Sequence, residues 1–594
     1  MGTSEAAFNL QINNKSKNRT NIIPESEKTI FKIYDNDDDF KQPEVYNENK
    51  NIQKEEELKE NYIDKLNDKT YDEYFSDDEI LDFNINDNVK KTSNLKISSS
   101  NEILEKDKEK KSIQSQNEYL KKEKTSENLK DISADGSPTL LGINIYQGQE
   151  TEIYLNPKDR LRHVYVIGQT GTGKTTILKN MIDQDIKNGE GCCFIDPHGS
   201  DIEDILSQIP AERFSDVIYF NPAALERPLG LNMLEYDIRF PEQKTFVINE
   251  LFSIFQKLYS GTPESMGPAF EQYFRNATAL VLEDPASGNT MVEISRVLSD
   301  ESFRNLKLSK CSNMIVRQFW EKIATQADGE SKLENIVPYI TNKFDVFLSN
   351  DYLRPIIAQE KSAFNFREIM DKKKILLVNL SKGRLGEINS NLIGMIIVGK
   401  IQMAAMSRVD SLDKKLPPFY LYIDEFQNVT TNSISSILSE ARKYSLGLII
   451  AHQYIKQIDE KIKDAVFGNV GSMIIFRIGA EDAEILEKQL SPIFSTKDII
   501  NLQNYNAYVK LLVNGEPQKP FNIKTLPPDD GDPKVREYLK ETSQQKYGRP
   551  RAEIEFEVQE KFKEIYNAGE NKKKLSKEED DFDIEKMLKE LKKE

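Results

Sequence analysis

Apolar positions along this chain fall into short unbroken runs separated by stretches of helical spacing. His163-Val-Tyr-Val-Ile-Gly168, Gly191-Cys-Cys-Phe-Ile-Asp-Pro197 and Val217-Ile-Tyr-Phe-Asn-Pro222 read as three buried strands, with a helix between the first two. The same texture returns at Ile375–Leu380, Phe419–Asp424, Leu446–Ala451 and Ser472–Ile478, again with a helix predicted between each pair. Strands that are apolar throughout and alternate with helices predict a parallel sheet covered on both faces. Two segments alternate apolar and polar residues instead. Leu140–Leu155 around Gln147–Gly148, and Tyr508–Ile523 around Asn514–Gly515, predict β-hairpins. From about 240 to 370 the period becomes helical, in Phe246–Leu258, Pro268–Leu282, Met291–Leu298 behind an Asn289–Thr290 cap, and Met314–Ala324. With no strand among them, these predict an all-helical subdomain inserted into the sheet.

The ends have a different character. Residues 1–137 are runs of Asn, Lys, Asp, Glu and Ser with no Cys, His or Trp, too poor in apolar surface to offset chain entropy, and they predict a disordered tail. Apolar islands at Ile30–Tyr34, Tyr71–Phe75 and Ile80–Phe83 are either docking motifs or incidental. After about 550 the chain turns charged and helical. The division expected is a tail over 1–137, a core over 138–239 and 371–550, a helical insertion over 240–370, and a charged C-terminal tail over 551–594.

Composition and charge follow this division. The chain has 594 residues, 38% of them hydrophobic, and a net charge of −17. Residues 1–137 account for −9 and residues 551–594 for −3, which leaves −5 for the middle. A near-neutral middle neither supports nor excludes a polyanionic partner. Three cysteines, two of them adjacent, are no disulfide framework and predict a reducing, cytoplasmic setting. The first residues lack a signal pattern. The most apolar stretch, Leu392–Met406, is interrupted by Lys400 and Gln402 and is too short for a direct membrane span.

The sharpest motif is Gly168-Gln169-Thr170-Gly171-Thr172-Gly173-Lys174-Thr175, followed by Thr176, a full match to G-x-x-x-x-G-K-[ST] between a strand and a helix. Its glycines let backbone N–H groups turn toward phosphate oxygens, and the following helix adds its positive end. Lys174 then reaches the β- and γ-phosphates of ATP, and the Thr175 hydroxyl holds Mg2+. A second element is the strand ending in Asp424-Glu425. Asp424 is placed for the Mg2+ shell, and Glu425 is placed as general base for the attacking water. Gln453, ending the Leu446–Ala451 strand, can sense the γ-phosphate; beside it His452 is a packed neighbour or a second catalytic group. Asp196 is a conformational contact or a helix cap. A ring ATPase also takes a cation from its neighbour, and Arg442 is the first choice for it, with Arg477 the other.

Together these residues resemble the conjugative coupling-protein branch of the HerA–FtsK superfamily, the pumping ATPases of type IV secretion. The similarity runs from about 140 to 550 and is carried by residues 162–176, 194–201, 228–234, 378–394, 422–429, 440–453 and 476–486. It implies an α/β fold, a RecA-like P-loop NTPase core with an inserted all-α subdomain. It also implies a homo-hexameric ring that moves DNA, of unknown strandedness, with ATP and Mg2+. Lys382, Arg384, Lys456, Lys461 and Lys463 are candidates for contacts to phosphates in the pore. Coupling proteins of conjugation resemble one another in having N-terminal transmembrane helices. Here an acidic polar tail stands in that place, which predicts a cytoplasmic relative whose tail would hold a membrane complex or a relaxase-like protein. Two other functions fit the same residues: an ATPase that recruits protein to a secretion or pilus machine, and a nucleotide-gated scaffold.

Overall fold

A computed structural model of the chain describes residues 136–563, apart from 263–265, 328, 330, 331, 412, 414, 432 and 562. The expectations for residues 1–135 and 564–594, disorder and apolar islands among them, lie outside the described residues.

The buried runs assemble into an 11-stranded sheet in the order β2-β1-β13-β10-β9-β3-β8-β7-β4-β6-β5. These strands are β1 (Thr139–Tyr146), β2 (Gln149–Leu155), β3 (Val164–Ile167), β4 (Gly191–Asp196), β5 (Val217–Phe220), β6 (Ile375–Asn379), β7 (Phe419–Ile423), β8 (Leu446–His452), β9 (Ser472–Ile475), β10 (Asn506–Lys510) and β13 (Phe521–Lys524). From β9 to β5 every pairing is parallel. Four antiparallel strands, β10, β13, β1 and β2, extend one side. The predicted hairpin at 508–523 is split in two. Its arms join the large sheet, and its tip forms a separate ribbon of β11 (Leu512–Val513) and β12 (Glu516–Pro517). Asn514 and Gly515 both have positive φ, as a two-residue turn requires, and both their N–H groups donate to the Asp159 carboxylate.

Alternation along each strand sends side chains to two cores. Val164, Val166, Cys192 and Phe194 face one, with α1 (Lys174–Lys187) and α2 (Ser200–Gln208) packed over them. Tyr165, Ile167, Cys193 and Ile195 face the other, which also receives the helices that follow β5. These include α3 (Glu242–Leu258), α4 (Pro268–Glu283), α5 (Met291–Ser299), α6 (Glu301–Lys310) and α7 (Leu333–Leu348). No strand interrupts this block among the described residues, which run from β5 to β6 in helices and turns. α5 begins with the predicted cap: Thr290 accepts from the Val292 N–H, and Glu293 reaches back to the Thr290 N–H.

The apolar stretch at 392–406 lies in α8 (Glu387–Ser407), which fills the second core. By length and composition it could cross a membrane, but 89% of its most apolar window is buried inside the fold. Lys400 sits in this helix with its ammonium on the backbone carbonyl of Glu235. Between the hairpin, α1 and β7, the buried Arg160 guanidinium makes a bidentate pair with Asp185, at 2.6 and 2.5 Å, and stacks 3.6 Å from the Tyr420 ring centroid. Removing one partner of a buried pair leaves an uncompensated charge, at a cost of roughly 3–5 kcal/mol.

Candidate active site

The candidate site lies where β3, β7 and β8, adjacent parallel strands, reach their C-terminal ends. Open α/β sheets bind ligands at that edge. After β3 the chain turns through Gly168–Gly173 and enters α1. The Gln169 N–H donates to the Arg477 carbonyl at 2.9 Å, and the Gly168 N–H to the His452 carbonyl at 3.4 Å, so the loop is tied to the ends of β8 and β9. Gly168 is a close approach: a Cβ there would lie 2.5 Å from the Phe476 Cβ. Gly173, with φ of 119°, takes a conformation that a side chain would resist, and it lets α1 begin at Lys174. Gln169 and Thr170 are exposed, while Thr172 is buried and its hydroxyl donates to the Gln169 carbonyl at 2.7 Å. Thr175 and Thr176 are half-buried on the first turn of α1.

Lys174 is buried and its ammonium donates to the Gly168 carbonyl at 2.6 Å and to the Gln169 carbonyl at 3.3 Å. Burial lowers its pKa, and the charges of Asp424 and Glu425 oppose that shift. Asp424 follows β7 and is buried. Burial, then the neighbouring Glu425 charge, pushes its pKa up to about 7 against the pull of Lys174. Glu425 stands in the left-handed region, φ 47°, at a sharp turn after the strand. Its carboxylate accepts from Gln453 Nε2 at 2.7 Å on one oxygen and from Gln427 Nε2 at 2.8 Å on the other. Lys174, Asp424, Glu425 and Gln453 thus share one electrostatic neighbourhood. Two carboxylates next to a phosphate-type loop, one of them with its pKa raised by burial and by the other's charge, suit a site that receives a divalent cation with its anion. A cavity of about 630 Å3 opens beside it, lined by Gln169, Thr170, Gln453 and Tyr454 among others.

Other residues singled out by the sequence fall elsewhere. His452 is a packed neighbour: Nε2 lies 2.6 Å from the Tyr165 hydroxyl and Nδ1 3.1 Å from the Tyr454 carbonyl. Burial holds its pKa down at about 3, so the ring is neutral and both nitrogens are engaged. Asp196 acts as a cap, accepting from the N–H groups of His198 and Asp201 at the start of α2. Arg442 is exposed in a 3-10 turn ahead of β8, at the sheet edge opposite the site, and its charge acts on His163 in front of β3. Within one chain it is not part of the cluster. Arg477 is near the loop, but its side chain donates to the Leu502 carbonyl. Sequence reasoning missed Gln427; an amide two residues beyond an acidic pair was the available signal.

Two family models cover most of the described chain. Residues 139–422 match the central domain of helicase HerA, and residues 418–510 match the TraM recognition site of TraD and TraG. No curated protein matches the sequence. Among solved structures, the plasmid coupling protein TrwB with the GTP analogue GDPNP is 16% identical over 67% of this chain and 96% of its own, with a TM-score of 0.48. TrwB with ADP and Mg2+ is 15% identical over the same shares, with a TM-score of 0.45. VirB4 of Thermoanaerobacter pseudethanolicus is 13% identical over 66% of this chain and 97% of its own, also at 0.45. The two sequence matches are contiguous, spanning 139–510 and overlapping at β7. Over residues 139–510 the chain is similar in sequence to the HerA–FtsK superfamily of P-loop ATPases, in its conjugative coupling-protein branch.

Proposed function

We propose that this protein is an ATP-hydrolysing motor that translocates DNA as a homo-hexameric ring. The observation that carries the reading is the convergence of Lys174, Asp424, Glu425 and Gln453 at the C-terminal ends of three adjacent strands. In this reading the Gly168–Thr176 loop takes the phosphates of ATP on its N–H groups. Lys174 leaves its loop carbonyls for the β- and γ-phosphate oxygens. Thr175 and Asp424 would hold Mg2+, which supplies charge neutralisation on the phosphates and keeps Asp424 ionised. Glu425 accepts the proton of the attacking water. Gln453 reports the γ-phosphate by leaving or keeping its bond to Glu425. The motor core is taken as 138–239 with 371–550, and the helical block as an insertion over 240–370.

Partners are part of the same reading. DNA would be held by a few basic residues per subunit, repeated around the ring, so the near-neutral middle of the chain is compatible with it. The description of the second family model favours a protein partner as well: a TraM-like protein of a DNA-processing complex would dock on the region of 418–510.

Hydrolysis is tested with Lys174→Ala and Glu425→Gln. Lys174→Ala should lose nucleotide affinity and turnover together. Glu425→Gln should keep affinity and lose turnover by roughly 10²–10⁴-fold, the usual worth of a general base. ATP turnover by Glu425→Gln at the wild-type rate would remove the assignment of the base.

A further inference from the structure

We infer that Gln427 is a positioning residue that restrains Glu425 in the resting state, so that hydrolysis requires its release. The inference deepens the reading above and depends on it. Gln427 lies in the short 3-10 turn Phe426–Asn428 that follows Glu425, and its side chain folds back over it. With Gln427 Nε2 on one carboxylate oxygen at 2.8 Å and Gln453 Nε2 on the other at 2.7 Å, neither oxygen of the general base is without an amide donor. A base held this way has to give up a donor, or compete with one, before it takes a proton from water, since hydrogen bonds to a carboxylate stabilise its charged form.

The two amides differ in their surroundings. Gln453 follows a central strand and faces the nucleotide side, beside Gln169 and Thr170. Gln427 faces a different cavity of about 570 Å3, lined by Lys257 and Leu258 at the end of α3, by Ile388, Asn391 and Met395 of α8, and by Gln457. Its side-chain oxygen Oε1 is buried there without a hydrogen-bond partner. A buried acceptor left unmet costs about 1–3 kcal/mol. That cost favours any arrangement in which a donor reaches Oε1 and turns the amide away from Glu425. The general base is therefore held from two sides: by Gln453 from the nucleotide, and by Gln427 from the cavity between α3 and α8. Only the first lines the cavity that the Gly168–Gly173 loop borders, so the second is the point at which a signal other than nucleotide acts on the same carboxylate. On the reading above, in which DNA is the second ligand of the ATPase, that signal is DNA binding.

Gln427→Met, which keeps the volume and removes the amide, and Gln427→Ala are compared with the wild type for basal and DNA-stimulated ATP turnover. Both variants should raise basal kcat about tenfold or more, the size of one hydrogen bond to a charged group, with KM for ATP unchanged. Both should also shrink the ratio of DNA-stimulated to basal turnover by a similar factor. A wild-type basal rate in Gln427→Met with a change only in Gln427→Ala would mean that Gln427 merely packs, and would overturn the restraint. A fall in kcat in both would show that the amide holds Glu425 in its working position, and would overturn it equally. If Lys174→Ala hydrolyses ATP as the wild type does, the underlying reading fails instead, a result visible in the same assay.

Discussion

At the residue scale, burial decides what each polar group does. His163 stands just ahead of β3 with positive φ, receives the Leu448 N–H on Nδ1 at 3.1 Å, and meets the Leu438 carbonyl with Nε2 at the same distance. Burial pushes its pKa down to about 4 from an ordinary 6.5. The folded state therefore binds its proton more weakly than the unfolded chain, and its contribution is complete above about pH 6.5. It is lost as pH falls from there to about 4, by on the order of 3 kcal/mol in all. His163→Gln should flatten the wild-type loss of stability over that window in thermal melts. An equally steep loss in the variant would place the acid sensitivity elsewhere. The same physics explains what was legible here. The residues of the G-x-x-x-x-G-K-[ST] loop and the Asp424–Glu425 pair are read from order along the chain, because strand, turn and charge are local. Gln427 was not: its bond to Glu425 depends on the left-handed turn at Glu425, which the order of residues does not display.

At the scale of elements, the position of the turn that carries Glu425 is set by how closely α8 approaches it. Gly394 faces Val429, the residue that ends the turn carrying Glu425 and Gln427. A Cβ on Gly394 would lie 2.4 Å from Val429 Cγ1 and 3.1 Å from Leu380 Cδ1. Gly394→Ala should destabilise the protein by about 1–3 kcal/mol through overpacking, despite alanine's better helix propensity. Val429→Ala leaves a cavity and is destabilising alone, yet in combination it makes room for the new methyl. The loss of stability in the double variant, read from urea midpoints, should be smaller than the sum of the two single losses; strict additivity would show that α8 and the turn are not coupled here. The parallel strands of this fold were legible because each is apolar along nearly its whole length, as a sheet covered on both faces demands, and the antiparallel ones because they alternate. Their spatial order was not, since β3 sits between β8 and β9, far away in sequence. The split of the last hairpin follows from that order: β9 offers an edge to β10, β13 pairs between β10 and β1, and the tip forms its own ribbon.

At the scale of the whole molecule, the polarity of a parallel sheet sorts the basic residues. Arg442 precedes β8, whereas the candidate site follows it, and a strand of that length separates the two by about 20 Å. That much was implicit in the sequence. Arg442 can therefore serve the site only from a second copy, as a ring would arrange. Rings mixed from Arg442→Ala and Lys174→Ala subunits should recover part of the activity that each lacks alone, because interfaces with an intact loop on one side and an intact arginine on the other then form. No recovery at any mixing ratio would exclude Arg442 as the cation in trans. The net charge of −17 belongs largely to the two ends of the chain, so it does not oppose a DNA partner; residues 138–550 carry only −5 of it.

The most direct measurement of a DNA-translocating ATPase is ATP turnover by the purified full chain without DNA, with single-stranded DNA and with double-stranded DNA. Turnover should rise severalfold with at least one form, fall with rising salt as phosphate contacts weaken, and vanish in Glu425→Gln under every condition. A wild-type rate indifferent to both forms of DNA at low salt would contradict the motor.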